Sequence, residues 1–265
     1  MDKITSTKNY RIKEILNLAR SRERKDSNLM IIEGFREISK AYIAGFKINE
    51  IYYCSEVNLY IKAFSIIDKI DSAVEVSKNV FEKIAYRENS DGLIAIAEAN
   101  YFSLKDIKLS DNPLILILES VEKPGNLGAL LRTADAAALD AIIICDPKTD
   151  LFNPNVIRSS LGCVFTNQIV VSNTYEAGNF LKLHNIKSYA TSLSAIDYYH
   201  NSDYSLPSAI IMGSESNGLS QQWLDIADFK IKIPMMGIAD SLNVSTSAAV
   251  MIYEARRQRG FSILK

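Results

Sequence analysis

The chain has 265 residues, 48% hydrophobic and 23% charged, with a formal net charge of −1. This is a globular composition, long enough for one large domain or two modest ones, and the total charge points to no nucleic-acid partner. No apolar run nears the ~18 residues of a membrane span, and the polar, charged start argues against a signal peptide, so a soluble, cytoplasmic protein with no membrane partner is expected. Cys54, Cys145 and Cys163 stand far apart with no CxxC pair. Neither a zinc site nor a disulfide framework is indicated, and no metal is expected. Cys145 ends the apolar run Ala141–Cys145 and reads as a buried thiol.

The charge is unevenly spread. Residues 1–25 hold eight bases and three acids, a pattern that fits either a phosphate-contacting segment or a solvated helix face. Ile12, Ile15, Leu16 and Leu18 recur at roughly helical spacing, which predicts an amphipathic helix over 9–20 with a basic outer face. Ser21–Ser27 reads as a polar loop. Arg20, Arg22, Arg24 and Lys25 in and beside it are the candidate phosphate contacts. Strands follow at 29–32, 48–53, 73–76 and 92–97, and helices at 35–44, 58–70 and from Ser77 through 85. This alternation describes a small α/β domain over residues 1–102. Residues 103–113, polar and ending in Asn-Pro, read as a linker.

A second α/β set covers 114–265, with strands at 114–119, 141–145, 168–171, 188–191, 208–212 and 229–233. Helices fill 127–138, 154–161, 175–184 and 219–225, and a last one runs from about 244 to 259. Three segments of this half place Gly, Asn, Ser or a lone charge just after a short apolar run. In open α/β sheets the carboxyl ends of strands are where ligands bind.

The first segment is Pro124-Gly125-Asn126-Leu127-Gly128-Ala129-Leu130-Leu131-Arg132. Asn126 is a plausible helix N-cap. Arg132 lies among Leu130, Leu131 and Ala134, where a charge is costly unless paired. It is read either as half of a structural ion pair or as a contact to phosphate or substrate oxygen, for which the planar guanidinium is suited. The second segment, Met212-Gly213-Ser214-Glu215-Ser216-Asn217-Gly218-Leu219-Ser220, hangs Glu215 at a strand end. There it acts as an anionic helix cap or orients Arg132. The third joins Ile233-Pro234-Met235 to Ser241-Leu242-Asn243-Val244-Ser245. One of Ser241 or Asn243 suffices for capping, so the remaining small polar groups suggest a ligand or close helix packing.

The usual competitors score poorly. There is no GxxxxGK[ST] and no GxGxxG after a strand. His184 and His200, the two histidines, lie outside all three segments, which disfavours Ser-His-Asp hydrolysis and histidine-centred metal chemistry.

In order and spacing, the three segments resemble the motifs of the SpoU/TrmH family of the SPOUT superfamily, the RNA ribose 2′-O-methyltransferases. The correspondence is N-x-G-x-x-x-R at Asn126, Gly128 and Arg132, then G-S-E-x-x-G-L from Gly213 to Leu219, then I-P-M with S-L-N-V-S. Residues 1–100, with the step Ile32-Glu33-Gly34, are similar to the family's small substrate-binding domain of ribosomal protein L30e type. The resemblance implies an α/β protein: a C-terminal parallel SPOUT sheet with a deep trefoil knot, and a smaller N-terminal L30e-like domain. It implies S-adenosylmethionine as cofactor, held mainly by backbone groups with contacts from Gly213, Ile233 and Leu242. It also implies a homodimer using the helix after Asn126 and the C-terminal helix. Arg132 is the key residue by motif position. A guanidinium is a poor base at pH 7, so it would hold a phosphate and stabilise the developing alkoxide. Asn126 would orient Arg132 or the ribose, Glu215 would pair with Arg132 or fix its loop, and Ser241 and Asn243 would position the 2′-oxygen. The basic residues Arg20, Arg22, Arg24 and Lys25 would contact RNA. The separate N-terminal domain favours 23S rRNA over tRNA. The alternatives are a tRNA methyltransferase, a non-catalytic RNA-binding ribosome-assembly protein, or a nucleotide-binding enzyme of another class.

Overall fold

The computed structural model describes residues 3–57, 63–87 and 90–261, which form two compact units. The first comprises residues up to Asn100 together with Asp150–Thr166. Its elements are α1 (Tyr10–Asn17), α2 (Ser21–Ser27), β1 (Leu29–Glu33), α3 (Phe35–Ile43), β2 (Ile48–Tyr53), α4 (Phe64–Ile67), β3 (Ala73–Glu75), α5 (Lys78–Ile84), β4 (Leu93–Glu98) and, from the later segment, α7 (Pro154–Ser159). Of the helix expected at 58–70, residues 58–62 lie outside the described residues. The four strands are ordered β1-β4-β2-β3. β4 runs antiparallel to both β1 and β2, and β3 is parallel to β2. One face of this sheet packs Ile31, Tyr52, Val74, Ile94 and Ile96 on Ile12 and Ile15 of α1 and Val80 and Phe81 of α5. The helical spacing of the α1 apolar residues thus does what it predicts. Each fully buried side chain contributes about 1.5–3 kcal/mol relative to exposure.

Two expectations fail in this unit. Ser21–Ser27, read as a loop, is a helix. Arg24, grouped with the exposed bases, is buried at its centre. The Arg24 guanidinium meets Asp150 at 2.6 Å and donates to the carbonyls of Leu18 and Ala19 at 2.7 and 2.9 Å. Every side of this charge is satisfied inside the protein, so Arg24 leaves the set of RNA contacts. Arg20, Arg22 and Lys25 remain exposed. The same pair explains why residues 150–166, placed by the sequence reading in the second domain, pack with the first unit. Phe46 adds edge-on ring contacts to Phe152 and Phe165.

The second unit spans Tyr101–Thr149 and Asn167–Lys265, described to residue 261. It contains β5 (Leu114–Glu119), α6 (Pro124–Ala136), β6 (Ala141–Cys145), β7 (Ile169–Ser172), α8 (Thr174–Leu183), β8 (Lys187–Thr191), β9 (Asp197–Tyr198), β10 (Ser208–Met212), α9 (Gln221–Ile226), β11 (Phe229–Lys232) and α10 (Val244–Gln258). The seven strands are ordered β7-β6-β5-β10-β8-β11-β9 and every pairing is parallel. Parallel sheets are covered on both faces, so their strands read as unbroken apolar runs. Leu114 through Leu118 and Ala209 through Ile211 accordingly have no exposed surface. Cys145 is buried as expected, and burial pushes its thiol up. The presumed linker 103–113 is not free, since Leu104, Ile107 and Leu109 lie against this unit's core. The two-residue strand β9 has no counterpart in the sequence reading, being too short to show alternation.

Removing the Arg24 side chain leaves Asp150 buried without its partner. Arg24→Ala is expected to destabilise the protein by about 3–5 kcal/mol, and the exposed Arg22→Ala by less than about 0.5 kcal/mol, in denaturant melts. Equal effects would contradict the buried pair.

Candidate active site

The strand order sets where the site lies. From β5 the chain goes to β6 and β7 on one side, while β10 pairs with β5 on the other. Order reverses between β5 and β10, and at such a switch point the carboxyl ends of adjacent strands open a crevice. Register puts Met212 beside Leu118, so the loops after Glu119 and after Gly213 leave the sheet side by side.

A buried acid fixes their roots. Glu119 is 6% exposed. One of its oxygens accepts from the Thr174 hydroxyl at 3.2 Å, and the other from the Ser220 backbone N–H at 2.7 Å. It thereby ties the end of β5 to the starts of α8 and α9. Its sequence signal is an acid terminating an otherwise apolar strand. Ser220 caps α9 with its own hydroxyl, so Glu215 is not the cap of that helix.

The loop from Gly213 to Gly218 closes on itself. Ser214 and Gly218 exchange backbone hydrogen bonds of 3.1 and 3.0 Å. A Cβ on Gly213 would sit 2.1 Å from the Gly218 carbonyl carbon, and Gly218 has φ +67°. Gly213 therefore has a steric reason to be glycine, independent of any ligand.

Asn126 joins all three segments. α6 starts at Pro124 after Lys123, which places Asn126 inside the first turn and not at the N-cap. Its side chain is free to bridge. The Asn126 Nδ2 donates to Glu215, and its Oδ1 accepts from Asn243 Nδ2 at 3.2 Å. Asn243 is the N-cap of α10, its Oδ1 accepting from the Ser245 N–H at 2.9 Å and hydroxyl at 2.7 Å. Glu215 thus fixes its loop through Asn126 and does not pair with Arg132. Glu122 adds a second tie, accepting from Ser216 at 3.4 Å.

Arg132 is exposed on α6, although Leu130, Leu131 and Ala134 around it are buried. Among the described residues no acid forms an ion pair with it, which removes the structural-pair reading. Helix α6 is held to α10 at its far end, where Arg256 donates to the carbonyls of Ala137 and Ala138. Ser241 is exposed, its hydroxyl 3.2 Å from Asp240. The chain around it carries unusual apolar exposure: Met236 is 95% exposed and Leu242 39%, with Ile233 half-buried. Exposed apolar side chains just past a strand end suit a ligand with an apolar ring and a short polar tail. S-adenosylmethionine has that chemistry, so the residues present fit it. Among the described residues, no group of metal-ligating side chains is clustered, and no helix is long and apolar enough to cross a membrane.

Comparison with known proteins agrees with this geometry. Residues 113–253 match the SpoU rRNA Methylase family, and residues 9–95 match the MRM3-like substrate binding domain. The 23S rRNA (guanosine(2553)-2′-O)-methyltransferase RlmP of Bacillus subtilis is 29% identical, over 97% of this chain and all of that one. Among solved structures, an RNA 2′-O ribose methyltransferase is 39% identical with a TM-score of 0.86, over 97% of this chain and 99% of its own. The AdoMet-bound rRNA methyltransferase of Sinorhizobium meliloti is 31% identical with a TM-score of 0.88, over 97% of each.

The Asn126 bridge yields a local prediction. Asn126→Ala should speed amide exchange at Asn217 and Gly218 at least about tenfold through local opening. Global stability should change by less than about 1.5 kcal/mol. Unchanged exchange in the loop would show that Asn126 does not hold it.

Proposed function

This chain belongs to the SpoU rRNA Methylase family and is an S-adenosylmethionine-dependent RNA ribose 2′-O-methyltransferase, from which we propose 23S rRNA as its substrate. The observation that carries this reading is the meeting of Glu215, Asn126 and Asn243 at the switch point, with Arg132 exposed on the same helix and in no ion pair among the described residues. The match of both halves to an rRNA-directed relative over nearly its whole length supports the choice of rRNA.

The bound cofactor supplies an electrophilic methyl group on a sulfonium. The protein must hold a 2′-hydroxyl in line with that methyl and favour passage of the hydroxyl proton to solvent water. A guanidinium stays protonated at neutral pH, so Arg132 contributes charge: it contacts the neighbouring phosphate and stabilises the developing alkoxide. Asn126 and Glu215 act through position, keeping the loops after β5 and β10 in register. Ser241 presents a hydroxyl to the ribose, Asn243 the second N–H of the amide whose first goes to Asn126, and holding the reactants together lowers the barrier by several kcal/mol. Gly213, Ile233 and Leu242 contact the cofactor through backbone and apolar groups.

The protein acts as a homodimer that pairs the α6 and α10 faces. The exposure of Arg132, which has no ion pair among the described residues, supports this. The strand order, with β10 inserted between β5 and β8, is compatible with the trefoil knot that the family resemblance implies. The cytoplasm, where rRNA is assembled, is the matching compartment. Arg20, Arg22 and Lys25 supply backbone phosphate contacts.

Labelled methyl transfer to unmodified total RNA tests this. Label should enter the large rRNA, and Arg132→Ala should lower kcat at least about 100-fold. Label confined to tRNA would overturn the substrate, and full activity in Arg132→Ala would overturn its role. Reversing Arg20, Arg22 and Lys25 to Glu should weaken RNA binding and flatten its salt dependence by about 0.7–0.9 for each phosphate no longer neutralised. Unchanged affinity at fixed salt would contradict those contacts.

A further inference from the structure

The first unit contains a cavity that the methyl-transfer account leaves unused. It measures about 200 Å³, below the roughly 300–1,000 Å³ of pockets that hold drug-sized molecules, and so suits a ligand of nucleobase size. Ile15, Leu16, Ile31 and Ile84 give it apolar walls. Tyr86 also lines it; the ring is half exposed, and its hydroxyl accepts from Asn155 at 3.0 Å.

One polar group in the lining lacks a partner. Glu33 is 8% exposed. Its Oε2 accepts from the Tyr86 backbone N–H at 2.6 Å, while its Oε1 is buried with no hydrogen-bond partner among the described residues. A carboxylate oxygen withdrawn from water and left unpaired is costly, and only a donor can satisfy it. Lys83 and Arg158 also line the cavity. Both are exposed, and neither forms an ion pair among the described residues.

These features narrow the occupant. A bare phosphate would find Lys83 and Arg158 but leave the apolar walls unfilled and the Glu33 Oε1 without a donor. A plain hydrocarbon would leave Oε1 unsatisfied. A flat ring with a donor edge and an attached anion satisfies all three features. Among RNA bases, guanine presents N1–H and the 2-amino group side by side on its Watson–Crick edge. Uracil offers one N–H between two carbonyls, which a carboxylate repels. Unpaired bases recognised through that edge and stacked on an aromatic ring are the common mode of RNA readout. We infer that this cavity takes one unpaired guanine of the RNA substrate, with its donor edge on Glu33, its ring beside Tyr86 and its flanking phosphates on Lys83 and Arg158. The inference rests on RNA being the substrate.

The test measures binding of the full-length protein to a uridine pentamer with a central guanosine and to the all-uridine pentamer, at one salt concentration. The guanosine pentamer should bind at least about tenfold tighter, the gain of a hydrogen bond to a charged group. Glu33→Gln and Ala19→Phe should each reduce that preference below about twofold. Ala19 is an exposed lining residue, so its variant blocks the cavity with little demand on the core. No guanine preference in the wild type, or one that survives both variants, overturns the pocket. Methyl transfer to full-length rRNA is measured on the same preparation. Transfer without guanine preference sinks the pocket alone, whereas absence of transfer to any RNA sinks the substrate reading beneath it.

Discussion

One side-chain amide holds the candidate site together. Asn126 is short, sits in the first turn of α6, and has one donor and one acceptor facing two different loops. Its donor engages Glu215 and its acceptor receives Asn243. Asn243 simultaneously caps α10. Three segments up to 117 residues apart in sequence therefore share one hydrogen-bonded node. Neither aspartate nor leucine could replace it: the first would set two carboxylates against each other, and the second would donate to neither loop. The position of Arg132, six residues along the same helix, follows from where that node sets α6.

The node has support beneath it. The central strands β5 and β6 are buried along their whole length and carry no charged group until they end, and the last residue of β5 is the buried Glu119. With both oxygens occupied by Thr174 and Ser220, that acid fixes two helix starts to one strand end. Arg256 closes the far end of α6 against α10. Arg259, further along, donates to the carbonyls of Asn112, Tyr204 and Leu206 at 2.6–2.8 Å. Burial pulls its guanidinium down to about 10, still charged at neutral pH. These carbonyl-bound arginines hold backbone in place, in contrast to Arg132, which is exposed and forms no ion pair among the described residues.

What the sequence reveals follows from which forces are local. Strands β2, β5, β6 and β10 are legible to the residue because each is an apolar run bounded by polar punctuation. The site is legible as three strand ends because Gly, Asn and Ser interrupt those runs. Helix α2 is not legible. All seven of its residues are polar, and its order comes from Arg24 meeting Asp150, 126 positions away. Nothing near Arg24 separates it from Arg22, yet one is core and the other surface. The partner of Glu215 is equally hidden. Local sequence offers Arg132 and a helix cap as candidates, and only the register of β5 on β10 delivers Asn126. The same holds for Asn126 itself, since Pro124 at the first helical position moves the helix start upstream and converts an apparent cap into a bridge.

The central claim is that Asn126 and Glu215 act as one unit in methyl transfer. A double-mutant cycle on kcat for methylation of large rRNA, using Asn126→Ala, Glu215→Ala and the pair, measures it. The account predicts a coupling of about 1–3 kcal/mol, with the double variant little worse than either single one. Additive losses would show that the two residues act separately, and that the site is not organised around their contact.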